Sequence, residues 1–216
     1  MLMECDSKDY WEKRFTQADT PWELGGPTAL LSEGVQCLLE LPGYRDTQMP
    51  LRVVCAGVGR GDDALELARS GFDVVAVEWA DAAVLSLRQR CEDLTQPQCG
   101  SLTIEHGDFF QVPPRKVDFA FEHTFFCALP PHRRSEYVKV MSNWLEPGRV
   151  LIGNFFIAQQ GDSDDSQLNG PPFFVRYDEL VALFAKEFKL LQLSSVPQKQ
   201  AMRRGDFEWL GVFERV

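Results

Sequence analysis

Two periodicities alternate along the chain. Short β-branched or aromatic runs bounded by Gly, Pro, Asp or Ser predict strands at 51–56, 73–78, 101–105, 117–122, 149–157, 187–195 and 207–214. Segments with apolar residues three and four apart predict helices at 7–17, 28–41, 62–70, 80–93, 131–145 and 177–186. Trp11 and Phe15 fall one turn apart on the first helix, and Pro42-Gly43 stops the second. From residue 51 onward strand and helix take turns, which implies a mainly parallel sheet covered by helices on both faces. The last two strands have no helix between them and can pair antiparallel at one edge. Residues 1–45 read as a helical lid ahead of the sheet. Segment 158–172, rich in Asp, Ser and Gly between Gln159 and Asn169, reads as a mobile loop at the edge where such sheets bind ligands.

The sharpest local pattern is Leu51-Arg-Val-Val-Cys-Ala-Gly57-Val-Gly59-Arg-Gly61-Asp-Asp63 running into Phe72-Asp-Val-Val-Ala-Val-Glu78. It reads as strand, glycine turn, helix, strand and acid, which is half of a nucleotide-binding, Rossmann-like α/β sheet. Gly57 and Gly59 let the backbone approach a ligand. Glu78, about 20 residues beyond the first glycine, can accept hydrogen bonds from ribose hydroxyls. The spacing is not the GxGxxG of a dinucleotide site. Asp62 and Asp63 follow at the helix start, where they would repel a pyrophosphate yet tolerate S-adenosylmethionine, which carries a sulfonium and an ammonium and no phosphate. A turn that only tightens strand on helix is the alternative, and a nicotinamide or flavin ranks below both.

With 216 residues, 44% of them hydrophobic, the chain suffices for one domain, 1–216, with a full core. Its net charge of −10 argues against a nucleic-acid partner. The six Cys and three His show no CxxC or HxxxH spacing, so no metal site is expected and the cysteines read as reduced thiols. The start Met-Leu-Met-Glu-Cys-Asp lacks the basic and apolar regions of a signal peptide, and no run of about 18 apolar residues is present to span a bilayer. These features lead to the expectation of a cytoplasmic monomer, without a membrane partner, acting on a small molecule.

Each candidate side chain has a plainer alternative. Asp108, in Gly107-Asp-Phe-Phe110, can accept the adenine amino group while Phe109 covers the ring, or it closes an Asp turn with Phe109 plugging the core. Beyond the fourth strand comes Glu122-His-Thr-Phe-Phe-Cys-Ala-Leu-Pro-Pro131. His123 is the candidate acid, base or acceptor contact, because an imidazole changes charge near neutrality without a special environment; the alternative is a strand-end histidine bonded to backbone. Phe125 and Phe126 divide between core and pocket wall, and Cys127 reads as a buried thiol. Trp11, Phe15 and Trp22 either form an aromatic lid over the sulfonium and the methyl acceptor or pack an N-terminal helix on the sheet. Gly170-Pro-Pro172-Phe173-Phe174 either supplies a rigid apolar edge to the same pocket or is an ordinary loop ending before the helix at 177–186. Gly59, Trp79 and Glu122 complete the candidate cofactor set. On the acceptor side Phe126 joins Trp22, His123, Pro172 and Phe173.

Taken in order, Tyr10-Trp11-Glu-Lys-Arg-Phe15, Thr20-Pro21-Trp22, Val54 to Asp63, Val75-Ala-Val-Glu78, Asp108-Phe109-Phe110, Phe121 to Pro131, Leu145-Glu-Pro-Gly148 and Gly170-Pro-Pro-Phe173 resemble the thiopurine S-methyltransferase family and its thiol and halide methyltransferase relatives. The resemblance extends over nearly the whole chain. It implies the class I methyltransferase fold, an α/β architecture with a seven-stranded, mainly parallel sheet, an antiparallel C-terminal hairpin and helices on both faces. It also implies S-adenosylmethionine as methyl donor and S-adenosylhomocysteine as product. Cofactor contacts are implied for Trp11, Phe15, Gly57, Glu78, Asp108 and Phe109, with an acceptor region at Trp22, His123 and the Pro172-Phe173 loop. Ala56 stands where that family usually has proline, Val58 where cysteine is common, Phe15 in place of a second tryptophan, and His123 where the thiopurine branch has arginine. The expected reaction is in-line transfer of a methyl group to a thiol or another soft nucleophile such as halide, thiocyanate or sulfide. The alternatives are O- or N-methylation with His123 or Glu122 as base, and a catalytically silent cofactor-binding protein.

Overall fold

The structure, a computed structural model, describes residues 3–91, 94, 99–158, 170–195 and 207–216. Strands β1 (Arg52–Ala56), β2 (Asp73–Glu78), β3 (Leu102–His106), β4 (Val117–His123), β5 (Leu145–Phe156), β6 (Phe188–Ser195) and β7 (Glu208–Arg215) form one sheet in the order β3-β2-β1-β4-β5-β7-β6. The first five run parallel, and β7 pairs antiparallel with both β5 and β6. Helices α1 (Lys8–Thr16), α2 (Leu30–Glu40), α3 (Asp62–Arg69), α4 (Asp81–Cys91), α5 (Arg134–Trp144) and α6 (Tyr177–Phe184) surround it. This is the sheet that the alternating periodicities imply. No helix among the described residues is long and apolar enough to cross a membrane.

Two apolar cores flank the sheet because its central strands are apolar on both faces. On one side Val53, Cys55, Phe119, Phe121 and Ile152 meet Leu31 and Leu38 of α2 and Leu65 and Leu67 of α3. On the other, Val54, Ala120, Leu151, Phe155 and Phe213 meet Tyr137 and Trp144 of α5 and Leu180 and Phe184 of α6. Each such side chain stabilises the fold by about 1.5–3 kcal/mol relative to exposure. A third, smaller cluster lies apart from both: Phe15 packs on Ala80 and Ala83 beside Trp11 and Trp22. The N-terminal helix therefore rests on the start of α4 through its aromatic stripe, with Ser7 capping it by accepting the Tyr10 N–H at 3.3 Å.

Two details differ from the sequence-based expectation. The helix expected over 131–145 begins as a 3-10 turn at Pro131–Arg133, becomes α-helical at Arg134 and ends at Trp144. Leu145 instead opens β5, four residues ahead of the expected start, by pairing with Val117; the register then shifts, so that Phe119 faces Val150. Tyr44 fills that irregularity, its hydroxyl donating to the Asp118 carbonyl and accepting the Val150 N–H at 3.1 Å. A polar tip buried at a break in the ladder satisfies groups that the neighbouring strand leaves unpaired. Residues 159–169, the bulk of the expected mobile loop, lie outside the described residues.

Candidate functional site

The chain reverses its winding between β1 and β4, since α3 leaves β1 toward one face and α5 follows β4 on the other. Such a switch opens a crevice at the carboxyl ends of the two strands. A cavity of about 530 Å³ lies there, within the range of small-ligand sites. The glycine turn, Glu78, Trp79, Asp108, Phe109, His123 and Pro172 line it together, with Trp11, Phe15 and Trp22 from the N-terminal segment.

The turn works because its glycines carry no side chains. Gly57 and Gly59 have φ of 58° and 55°, in the left-handed region that glycine adopts without strain. A Cβ on Gly57 would fall 2.2 Å from the Phe125 ring, and one on Gly59 would lie 3.3 Å from the tip of Phe15. Two aromatic rings thus close on bare backbone.

Glu78 ends β2 beside this turn, as the register of Ala56 with Val77 requires. Its Oε2 accepts the Gly59 N–H at 2.7 Å, and its Oε1 accepts those of Trp79 at 2.7 Å and Ala80 at 2.8 Å. Burial pushes its carboxyl above the usual range while the three N–H bonds pull it back. A carboxylate has about four lone-pair sites, so three N–H bonds leave it capacity for a ligand hydroxyl. Asp108 behaves as a turn residue, Oδ1 accepting the Phe110 N–H at 3.0 Å. Phe109 stacks on Trp144 at 6.2 Å between centroids and is buried, yet its edge of the core also borders the cavity.

Strand alternation separates the three residues at the end of β4. Phe121 and His123 border the cavity, whereas Glu122 points to the opposite face. There Oε1 accepts the N–H groups of Phe125 at 2.9 Å and Phe126 at 2.8 Å, and Oε2 accepts the Tyr137 hydroxyl at 2.7 Å. Glu122 therefore lies outside the cavity wall, as do Phe126 and Phe173, which are buried in the core. Phe126 packs on Tyr137, Phe155 and Phe184. Phe173 is strapped down by its N–H to the Cys127 carbonyl at 2.7 Å, leaving Pro171 and Pro172 as the part of that loop on the cavity.

Burial pushes the Glu122 carboxyl up to about 7 from an ordinary 4.5, against the pull of its hydrogen bonds. Between those values the folded protein keeps a proton that the unfolded chain has released. Stability from this group is fully present below about 4.5 and is lost as pH rises toward about 7. Glu122→Gln should flatten that part of the stability–pH curve by order 1–3 kcal/mol, read by urea unfolding at pH 5 and pH 8. Parallel curves for the two proteins would refute the assignment.

Several residues at the site carry no strong signal in the sequence. His123 Nδ1 lies 2.6 Å from Asp63 Oδ2, and Asp63 Oδ1 accepts the Thr28 N–H at 2.7 Å. Thr124 follows with φ of 65°, a conformation strained for a β-branched residue, its hydroxyl donating to the His123 carbonyl at 2.7 Å. The bend turns Phe125 back over Gly57. Across the mouth, Trp22 makes edge contacts with Trp11 at 5.6 Å and Phe15 at 5.7 Å, and the Arg14 guanidinium lies 4.8 Å from the Trp22 ring. Ion pairs fasten this segment: Lys8 to Asp81 at 2.6 Å, Arg60 to Glu23 at 3.3 Å, and Asp6 to Arg133 at 3.4 Å.

A glycine turn after β1, an acid ending β2 and a crevice above the switch define a class I S-adenosylmethionine-dependent methyltransferase. Solved structures of that class share the fold. Magnesium protoporphyrin IX methyltransferase from Synechocystis PCC 6803 superposes with a TM-score of 0.72 over 97% of this chain and 99% of its own, at 14% identity. A Burkholderia thailandensis 1,6-didemethyltoxoflavin-N1-methyltransferase with bound S-adenosylhomocysteine gives 0.68 over 97% and 87%, at 16% identity. Within the class, the sequence profile of the thiopurine S-methyltransferase family matches residues 6–212, and the chain belongs to that family. It is 31% identical to a probable thiol methyltransferase 2 of Arabidopsis thaliana over 82% of this chain and 72% of that one. With a thiocyanate methyltransferase 1 of Brassica oleracea the identity is 27% over 100% and 88%.

The cavity residues fit S-adenosylmethionine, the methyl donor of this family. A rigid acceptor carboxylate, a glycine-rich turn and aromatic walls suit a cationic nucleoside. The two carboxylates at the start of α3 do not suit a phosphate.

Proposed function

We propose that the chain transfers a methyl group to a small thiol or another soft nucleophile such as thiocyanate, halide or sulfide. The observation that carries this reading is a single cavity in which the cofactor-type elements meet an apolar, aromatic wall and one histidine. When bound, S-adenosylmethionine supplies a methyl group already activated by positively charged sulfur. Glu78, with Trp79 and Asp108, would hold the nucleoside end, and Trp11, Phe15, Gly57, Gly59 and Phe109 would enclose it. Trp22, His123 and Pro172 would face the acceptor. The protein's task is then alignment and exclusion of water, where effective molarities of order 10⁵–10⁸ M describe what positioning supplies. A thiol is a few per cent ionised at pH 7 and intrinsically nucleophilic, so an elaborate catalytic constellation is unnecessary. The names of the relatives, thiol and thiocyanate methyltransferases, support the same acceptor class. Six free cysteines support action in a reducing compartment such as the cytoplasm.

Incubation with labelled methyl donor and a panel of thiols, halides, thiocyanate and phenols, read by mass spectrometry, tests the proposal. Transfer to phenols or amines alone would overturn it. Trp22→Ala should alter the ranking of acceptors more than it changes S-adenosylhomocysteine affinity. Equal losses for acceptor and cofactor would count against an acceptor-side role.

A further inference from the structure

The Asp63 carboxylate is shared between two elements. Oδ1 is fixed by the Thr28 N–H at 2.7 Å, and Oδ2 meets His123 Nδ1 at 2.6 Å. Both side chains border the cavity and are mostly shielded, at 17% and 10% exposure. A carboxylate only accepts, so the imidazole hydrogen sits on Nδ1 and Nε2 is the nitrogen able to take up a proton.

We propose that Asp63 is a positioning residue that sets this tautomer, and that His123 Nε2 takes the proton from a thiol acceptor. The inference rests on the soft-nucleophile reading above. In the step, the S–H bond breaks, its proton passes to Nε2, and its electron pair stays on sulfur as the nucleophilic thiolate. The imidazolium that forms faces the Asp63 carboxylate at once and later gives its proton to water. Asp63 from α3 meets the ring directly, and Glu122, on the opposite face of β4, interacts with it electrostatically. Burial and the two carboxylates push the Cys55 thiol well up, so it stays neutral.

Thr28 makes the substitution Asp63→Asn sharply informative. The asparagine oxygen remains committed to the Thr28 N–H, which turns its amide NH₂ toward His123 Nδ1. Nδ1 must then accept, and the hydrogen moves to Nε2, where it blocks proton uptake. We expect ¹⁵N NMR of the imidazole to show that exchange of tautomers. Transfer to a cysteine-type thiol at pH 7 should fall by up to about 30-fold, the reciprocal of the few per cent ionised there. The loss should shrink as pH rises through the thiol's own range near 8.5. Thiocyanate has no proton to remove, and its methylation should fall by much less than that of the thiol. His123→Gln should give the same acceptor-selective loss, so a folding defect in Asp63→Asn does not block the comparison; S-adenosylhomocysteine binding verifies both folds. Equal losses on thiol and thiocyanate, or an unchanged tautomer with full thiol activity, would overturn the inference. A wild-type protein that methylates neither acceptor would overturn the functional reading instead, and the NMR measurement would still decide the role of Asp63.

Discussion

Glu78→Ala should lower S-adenosylhomocysteine affinity at least tenfold, about 1.4 kcal/mol, and also destabilise the protein by about 2–4 kcal/mol. Two effects are expected because one carboxylate serves two purposes. Its oxygens hold the N–H groups of Gly59, Trp79 and Ala80, and truncation orphans all three beneath the cavity. Each buried donor left unpaired costs about 1–3 kcal/mol, reduced where water can enter. Glu78→Gln separates the two. Its oxygen can keep the Trp79 and Ala80 N–H groups, but its amide then meets the Gly59 N–H donor to donor, which distorts the turn against which the nucleoside would lie. Calorimetric titration with S-adenosylhomocysteine, paired with urea unfolding, reads both quantities. Full affinity in Glu78→Ala would remove this residue from the cofactor site.

Arg134→Leu should cost about 3–5 kcal/mol, the largest stability loss expected for a residue outside the cavity. The guanidinium is 1% exposed and burial pulls it below its usual range; both terminal nitrogens have partners, while Nε has none among the described residues. Nη1 donates to Glu179 at 3.1 Å, and Nη2 donates to the carbonyls of Phe173 at 3.1 Å and Phe174 at 2.9 Å. It thereby ties the start of α5 to α6 and to the loop carrying Pro171 and Pro172. Lysine, a point charge, cannot reproduce that fork, so Arg134→Lys should recover only part of the loss. Denaturant midpoints settle the matter: a change under about 1 kcal/mol for Arg134→Leu would show that the loop is held by something else.

What the sequence discloses and what it conceals follow from the range of the interactions involved. The strand at 73–78 and its closing acid are readable because a β-branched run is a local property, and the structure places β2 at Asp73–Glu78. The early start of β5 is not readable, since it depends on Tyr44 reaching into the sheet from far away in the chain. Period-two alternation was sufficient to put Glu122 and His123 on opposite faces, but not to say which face holds the cavity; that is fixed by α3 and α5 taking opposite sides. The Asp63–His123 pair spans 60 positions and leaves no trace in local composition. Asp63 is visible beforehand only as negative charge at a helix start. Phe125 is equally opaque: its place over Gly57 depends on the left-handed backbone of Thr124, a conformation that no propensity would assign to threonine.

The separateness of the third apolar cluster bears on how the N-terminal segment is held. Phe15, Trp11 and Trp22 are held to the body by edge-on rings, the small side chains at the start of α4 and a few surface ion pairs, whereas α2 and α3 are sunk in the sheet's own core. Peeling back residues 7–23 would breach neither of the two large cores and would leave every strand pairing intact. Displacement of this segment is thus decoupled from the integrity of the scaffold: residues 7–23 can yield on their own timescale while the sheet beneath them keeps its shape.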